Sequence, residues 1–259
     1  MHHRGPITVH QFPCLSDNYG FLVRDQRSGQ VAAVDTPDAA AIAREAEALG
    51  WPIHLILNTH WHPDHAGGNA ELAERTGAKI IAPEAEGEKI SSKDQAVQDG
   101  EVVHLGQTAL RVVGVPGHTL GHIAYVADEA KTAFVGDTVF SLGCGRMFEG
   151  TPEVFWESIL KLRDLPPETM LFCAHEYTAA NAAFALSVDG ENPTLKARSD
   201  VIAQLRNEKK PTVPMILGDE LSTNPFLRAD DPALAALVGK EGAPAHEVFA
   251  EIRRRKDVF

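Results

Sequence analysis

A chain of 259 residues can bury a sizeable core in one large domain or in a large and a small one, and its 44% hydrophobic and 23% charged content is that of an ordinary globular protein. The net charge of -12, from 24 basic and 36 acidic residues, argues against a surface that coats nucleic acid, which would need clustered Lys and Arg. No run approaches the ~20 apolar residues of a membrane span, the first residues carry no signal-peptide core, and three cysteines at unrelated spacings imply no disulfide framework, so a cytoplasmic protein is expected.

Short apolar or alternating runs at 7–12, 20–23 and 31–34, separated by the turn formers Ser16-Asp17-Asn18 and Ser28-Gly29, predict an opening β-meander. Asp35-Thr36-Pro37-Asp38 stops the third run and caps an alanine-rich helix over 39–49 that Gly50 ends; Asp35, at a strand's end, is within reach of the site, but a turn or cap is the expectation. Residues 53–57, apolar and partly β-branched, predict a buried strand. That strand runs into Thr59-His60-Trp61-His62-Pro63-Asp64-His65, with three imidazoles and a carboxylate inside six residues. Imidazole nitrogen and carboxylate oxygen suit zinc, iron, nickel and manganese. Residues i and i+2 of an extended segment share a face, so His60 and His62 can reach one ion. Pro63 opens a turn, after which Asp64 and His65 can point at a second position. So dense a cluster at a strand end argues against a merely solvated histidine loop.

Gly67-Gly68-Asn69 leads into a short helix over 70–75 and a strand over 79–82, and the polar, weakly periodic stretch 83–100 reads as a surface loop with one helical turn. Strands are predicted at 101–105 and 109–115, the second running into Pro116-Gly117-His118-Thr119-Leu120-Gly121-His122. Strands at 123–126 and 132–135 follow, the latter ending in Gly136-Asp137-Thr138. Gly143-Cys144-Gly145-Arg146 is a glycine-flexed loop presenting a cation, in which Cys144 reads as a small packed residue. An amphipathic helix over 153–165 puts Phe155, Ile159 and Leu162 on one face, and a strand over 170–173 ends in Ala174-His175-Glu176-Tyr177. Histidine and aspartate thus recur at strand ends, the arrangement expected of an enzyme site on a rigid sheet.

Beyond Tyr177 helix formers dominate, with helices over 179–186, from Asn192-Pro193 to about 209, over 232–238 and over 245–255, and a proline-broken stretch at 211–228. The fold class is therefore α/β with an all-α C-terminal third. Taken alone, Arg253-Arg254-Arg255-Lys256 reads as basic residues offsetting a helix dipole. Trp61 reads as a packing residue.

With these motifs in hand, the chain resembles the hydroxyacylglutathione hydrolase (glyoxalase II) family of the metallo-β-lactamase superfamily. The superfamily likeness rests on THWHPDH at 59–65, GHTLGH at 117–122, GDT at 136–138 and His175. The likeness extends to LSDNY at 15–19, and GCGR at 143–146, AHEYT at 174–178 and RRRKDVF at 253–259, with the helical C-terminal third, point to the family. The resemblance implies a metallo-β-lactamase αββα sandwich over 1–175 and a smaller all-α, glutathione-binding domain over 176–259. It also implies two divalent metal ions per chain, zinc first, with iron or manganese as alternatives. His60, His62 and His118 would hold one ion, Asp64, His65 and His175 the other, and Asp137 would bridge them, with His122 outside the ligand set.

Asp64 and Asp137 are the implied catalytic residues, acting with a metal-held hydroxide on a thioester carbonyl. A thiol has a pKa near ~8.5, so the thiolate leaves without a dedicated proton donor. Arg146, Tyr177, Arg253 and Lys256 are the implied substrate contacts, and Phe148 stands where some members carry a tyrosine. The implied reaction is hydrolysis of S-(2-hydroxyacyl)glutathione, chiefly S-D-lactoylglutathione, to glutathione and D-lactate, the second step of methylglyoxal detoxification, by a monomer that binds neither nucleic acid nor membrane. The rival readings are a mononuclear iron glutathione persulfide dioxygenase, a nuclease of the same superfamily and a non-catalytic metal-binding or redox-sensing protein.

Overall fold

The apolar runs near the N-terminus pair as a meander because their side chains alternate between faces and need a partner sheet or helix to cover them. In the computed structural model, which describes residues 1–90 and 92–259, β1 (His2–Arg4), β2 (Ile7–Cys14), β3 (Asn18–Asp25) and β4 (Val31–Val34) pair in succession, all antiparallel. Helix α1 (Ala39–Leu49) follows, its first turn capped by the Asp38 side chain, which accepts from Ala41 N at 2.9 Å. Gly50 ends it at φ 63°, a left-handed value that glycine adopts without a Cβ clash. The chain crosses back as β5 (Ile53–Leu57), parallel to β4. After α2 (Pro63–Ala66) and α3 (Asn69–Thr76), β6 (Lys79–Pro83) and β7 (Gln95–Val97) extend the parallel half. The resulting sheet runs β1 to β7 in chain order.

Strand β7 lies in the stretch expected as a loop, because three residues are too few to display a period; Ser91 of that stretch lies outside the described residues. Strands β8 (Val102–Leu105), β9 (Thr108–Gly114), β10 (Ile123–Ala127) and β11 (Thr132–Gly136) are antiparallel neighbours. Phe21 of β3 meets Phe134 of β11 with ring centroids 5.9 Å apart, and the Tyr125 hydroxyl on β10 donates to Asn58 O at 3.0 Å, so the two strand sets share a core. Leu22, Ile42, Ile56 and Leu72 fill the space under α1 and α3, each fully buried and worth about 1.5–3 kcal/mol. These elements form one compact unit, Met1–Gly114 with Thr119–Gly136.

Val115–His118 and Asp137–Phe259 form a second unit. It begins with a tight hairpin, β12 (Val139–Phe140) and β13 (Gly143–Cys144), which no sequence period announced because each arm has two residues. Helix α4 (Pro152–Arg163) follows with Thr151 as N-cap and proline in its first turn. Strand β14 (Met170–Cys173) leads to α5 (Thr178–Val188) and α6 (Pro193–Asn207). The proline-broken stretch carries β15 (Met215–Ile216), antiparallel to β14, and α7 (Leu217–Thr223); α8 (Pro232–Leu237) and α9 (Ala245–Asp257) close the chain. The region after Tyr177 is thus helical apart from the short β15. Phe249 of α9 packs on Phe155 of α4 at 5.4 Å and on Phe226 at 5.9 Å, and Phe226 reaches Phe184 of α5 at 5.9 Å, an aromatic chain that binds the helices together. Among the described residues no helix is long and apolar enough to cross a membrane.

Candidate metal centre

In the first unit the chain leaves β5 through Asn58 and Thr59 and enters α2 at Pro63, and the turn between them gathers four donors. The donor atoms of His60 and His62, of His60 and His65, and of Asp64 and His65 lie within 4.8 Å of one another. A carboxylate can only accept, so His65 Nδ1, 2.8 Å from Asp35 Oδ2, carries the proton and leaves Nε2 with its lone pair. Thr59 gives its hydroxyl proton to the same Asp35 oxygen at 2.8 Å and therefore accepts from His60 Nδ1 at 3.0 Å, which puts the lone pair of His60 on Nε2. His62 turns Nδ1 to 3.0 Å from that His60 Nε2. Asp64 is steered by Asn18, whose Nδ2 donates to Asp64 Oδ2 at 3.1 Å, and His122 stacks on the His60 ring at 4.6 Å.

Asp35 was expected in a turn or cap, and the structure gives it another task. Asp38 caps α1, while Asp35 is buried at φ 56° and holds Thr59 N, Thr59 Oγ1 and His65 Nδ1. A non-glycine residue in the left-handed region is strained, and here three hydrogen bonds hold it. The available signal was its place directly after β4, the strand-end position shared by the other site residues. Asp35→Asn is expected to weaken divalent-metal affinity about 10–100-fold, because an amide can offer its hydrogens to His65 and reverse the tautomer. Competition with a chromogenic chelator measures it; unchanged affinity would remove Asp35 from this role.

In the second unit two imidazoles converge on one carboxylate. Asp137 Oδ2 lies 3.4 Å from His118 Nε2 and Asp137 Oδ1 lies 3.4 Å from His175 Nε2, so its two oxygens face two different imidazoles. His118 Nδ1 donates to Arg146 O at 2.9 Å, which again leaves Nε2 with its lone pair. Gly145 permits this closeness: a Cβ there would come 2.0 Å from Asp137 O and 3.0 Å from His118 Nδ1. The His175 ring stacks on Tyr177 at 4.8 Å and meets the edge of Phe140 at 5.8 Å.

The same unit holds a cavity of about 490 Å³ lined by His118, Asp137, Arg146, Tyr177, Arg253 and Lys256 among others. All four expected substrate contacts therefore share walls with two expected metal ligands. Arg253, 4% exposed on α9, donates through Nη1 to Cys144 O at 3.0 Å and pairs through Nη2 with Asp257 at 2.8 Å. Lys256 donates to Ala180 O at 3.1 Å, and Arg146 is exposed at the rim, 3.9 Å from Asp257. Phe148 is exposed and sets its ring edge against His118 at 5.3 Å. Burial pushes the Cys144 thiol up to about 12 even with the Arg253 guanidinium beside it, so it stays protonated and is no nucleophile. Sequence reasoning passed over Asp257, one helical turn from Arg253; the i, i+4 spacing was the signal for the pair.

The donor sets fit a first-row divalent ion: the second ring nitrogens of His60, His65 and His118 are tied to protein oxygens, Asp64 is held by an amide and Asp137 is set between two imidazoles.

Known proteins match this chain over nearly its full length. A family model described as metallo-beta-lactamase superfamily matches residues 21–175, and one described as hydroxyacylglutathione hydrolase C-terminus matches 176–259. A hydroxyacylglutathione hydrolase of Erythrobacter litoralis is 57% identical over 253 residues, covering 98% of this chain and 100% of that protein. One of Hyphomonas neptunium is 54% identical, covering 98% of each. Among solved structures, the BLEG-1 B3 metallo-beta-lactamase superposes with a TM-score of 0.65 at 18% identity, over 85% of this chain and 99% of that one, a likeness of fold.

Proposed function

Because the chain belongs to the hydroxyacylglutathione hydrolase family of the metallo-β-lactamase superfamily, we propose that it hydrolyses S-(2-hydroxyacyl)glutathione thioesters, chiefly S-D-lactoylglutathione, to glutathione and the 2-hydroxy acid. The observation that carries this reading is the cavity in which Asp137 and His118 share walls with Arg146, Tyr177, Arg253 and Lys256. Glutathione brings two carboxylates and one ammonium, so an anionic ligand in a chain of net charge -12 needs such a local group of cations.

In this reading His60, His62 and His118 would hold one divalent ion and Asp64, His65 and His175 the second, with Asp137 a ligand to both. When bound, the two ions supply Lewis-acid chemistry, acidifying water and offsetting negative charge as the carbonyl is attacked. The remaining work falls to the chain. Arg253 and Lys256 dock the glycine carboxylate of the glutathione arm, and Arg146 guides the anion at the rim. Tyr177 walls the cavity beside His175, where its ring restricts the thioester's approach. Asn18 keeps Asp64 from rotating away, so that its carboxylate orients the attacking water. The thiolate departs without a protein acid, since its conjugate thiol titrates near ~8.5. Residues 1–175 form the catalytic domain and 176–259 the glutathione-binding domain of a cytoplasmic monomer, with zinc the first candidate metal and iron or manganese the alternatives.

The deciding assay is loss of thioester absorbance from S-D-lactoylglutathione, combined with elemental analysis of the same preparation. Turnover with two divalent ions per chain is the expected result. No turnover with both sites filled, or one iron per chain with oxygen consumption on glutathione persulfide, would overturn it.

A pH dependence follows from Lys256, whose ammonium is held below the usual lysine range by burial and by the neighbouring Arg253. The charge is present at neutral pH and is lost as pH rises through that lowered pKa. The KM for the thioester is expected to climb on the alkaline side before the ~10.4 of a free lysine is reached, while Lys256→Arg flattens that limb. A KM that stays level up to that pH in the parent protein would remove Lys256 from the binding site.

A further inference from the structure

Beside the cavity lies the Ser141-Leu142 corner of the β12–β13 hairpin, which begins two residues after Asp137 and ends at Cys144. Leu142 sits there at φ 58°, a conformation in which a Cβ is strained and glycine is usual. Its side chain is wholly buried among Ala182, Ala185, Leu195 and Ile202 of α5 and α6, which explains a leucine in place of glycine. The corner's polar groups are met from four later points of the chain. Leu142 N donates to Glu220 Oε2 at 2.9 Å, and Asn181 Nδ2 donates to Ser141 O at 3.1 Å. Asn224 Nδ2 donates to Phe140 O at 3.1 Å, to Gly143 O at 3.0 Å and to Glu220 Oε2 at 3.0 Å. Arg198 Nη2 donates to Ser141 Oγ at 2.9 Å and pairs with the Glu220 carboxylate.

Glu220 is the hub of this network. It is 0% exposed, and a buried carboxylate persists only when its charge and lone pairs are matched, here by Arg198, Leu142 N and Asn224. The hairpin it grips carries three pieces of the cavity. Asp137 lies at its entry, Phe140 sets its ring 5.4 Å from Tyr177, and Cys144 O receives Arg253. We propose that Glu220, clamped by Arg198, is a positioning residue that pins the Val139–Cys144 hairpin in its strained conformation and so fixes the wall against which Arg253 and Tyr177 are set. It touches no substrate; it acts through the backbone of Leu142.

The test is alkylation of Cys144 in the full-length protein under native conditions, followed by peptide mass mapping, with buried Cys14 of β2 as internal reference. If Glu220 pins the hairpin, Glu220→Gln raises the Cys144 rate about tenfold or more while the Cys14 rate stays unchanged, because only the local opening is eased. Should that variant fail to fold, Glu220→Asp keeps the charge for Arg198 and withdraws the carboxylate from Leu142 N; the same selective rise is expected. A parallel rise at both cysteines, or none at Cys144, would overturn the inference. A kinetic arm rests on the proposed hydrolase reading: KM for the thioester rises by a larger factor than kcat falls, whereas loss of folded protein alone lowers apparent kcat at constant KM. An inactive parent protein would sink that reading, and the labelling result would still judge the inference.

Discussion

Asp137→Asn is expected to lower kcat/KM for the thioester about a thousandfold or more while the protein remains folded. The reason lies in its two oxygens, which face His118 Nε2 and His175 Nε2 at 3.4 Å each. Both nitrogens carry metal-facing lone pairs in the proposed centre, and a carboxylate can serve two cations at once. An amide keeps one acceptor and turns an NH₂ group toward the other position, where it meets either a lone pair or a cation. Metal content is expected to fall from two ions per chain toward one, with the thermal transition little changed because Asp137 lies at a cavity wall and not in an apolar core. Activity within tenfold of the parent at full metal content would remove Asp137 from the bridging role.

Arg253→Ala is expected to raise KM about 30–100-fold and to lower kcat by no more than a few-fold. In the proposed reading its contact is to the glutathione arm, far from the scissile bond, and would stabilise ground state and transition state alike. Arg253 also supports its surroundings: its loss removes the donor to Cys144 O, leaves Asp257 with the more distant Arg146 alone and removes a guanidinium from over the Phe226 ring. A stability loss of about 2–4 kcal/mol should accompany the kinetic change, measured as a shift of the denaturant midpoint. Lys256→Ala, which gives up only a bond to Ala180 O and its contacts with the Phe184 and Phe259 rings, should raise KM by a smaller factor at nearly unchanged stability. A fall in kcat as large as the rise in KM would count against both assignments.

Legibility along the chain followed the length of the pattern. Helices α1, α4, α6 and α9 and strands β4, β5 and β14 were readable because capping residues, an amphipathic period or a bounded apolar run lie within one short window. The two-residue strands β12, β13 and β15 and the three-residue β1 and β7 have no period to read and exist only because a neighbouring strand supplies their hydrogen bonds. Boundaries shifted by one or two residues where end turns depend on tertiary contacts, as at Thr178 and Val188 of α5.

The site divides along the same line. Histidine and aspartate at strand ends are rare enough, and close enough in sequence, that their composition alone announced metal chemistry, and the later motifs with the helical C-terminal third announced the family. Only the tertiary structure decided which groups orient those donors. Asp35 reaches His65 across 30 residues, Glu220 reaches Leu142 across 78 and Arg253 reaches Cys144 across 109. No local period records such pairs, since each is set by where the helices and strands pack. The identity of the donors is a property of neighbouring residues; their tautomers, their spacing and the strained hairpin behind the cavity come from partners that folding alone brings within reach.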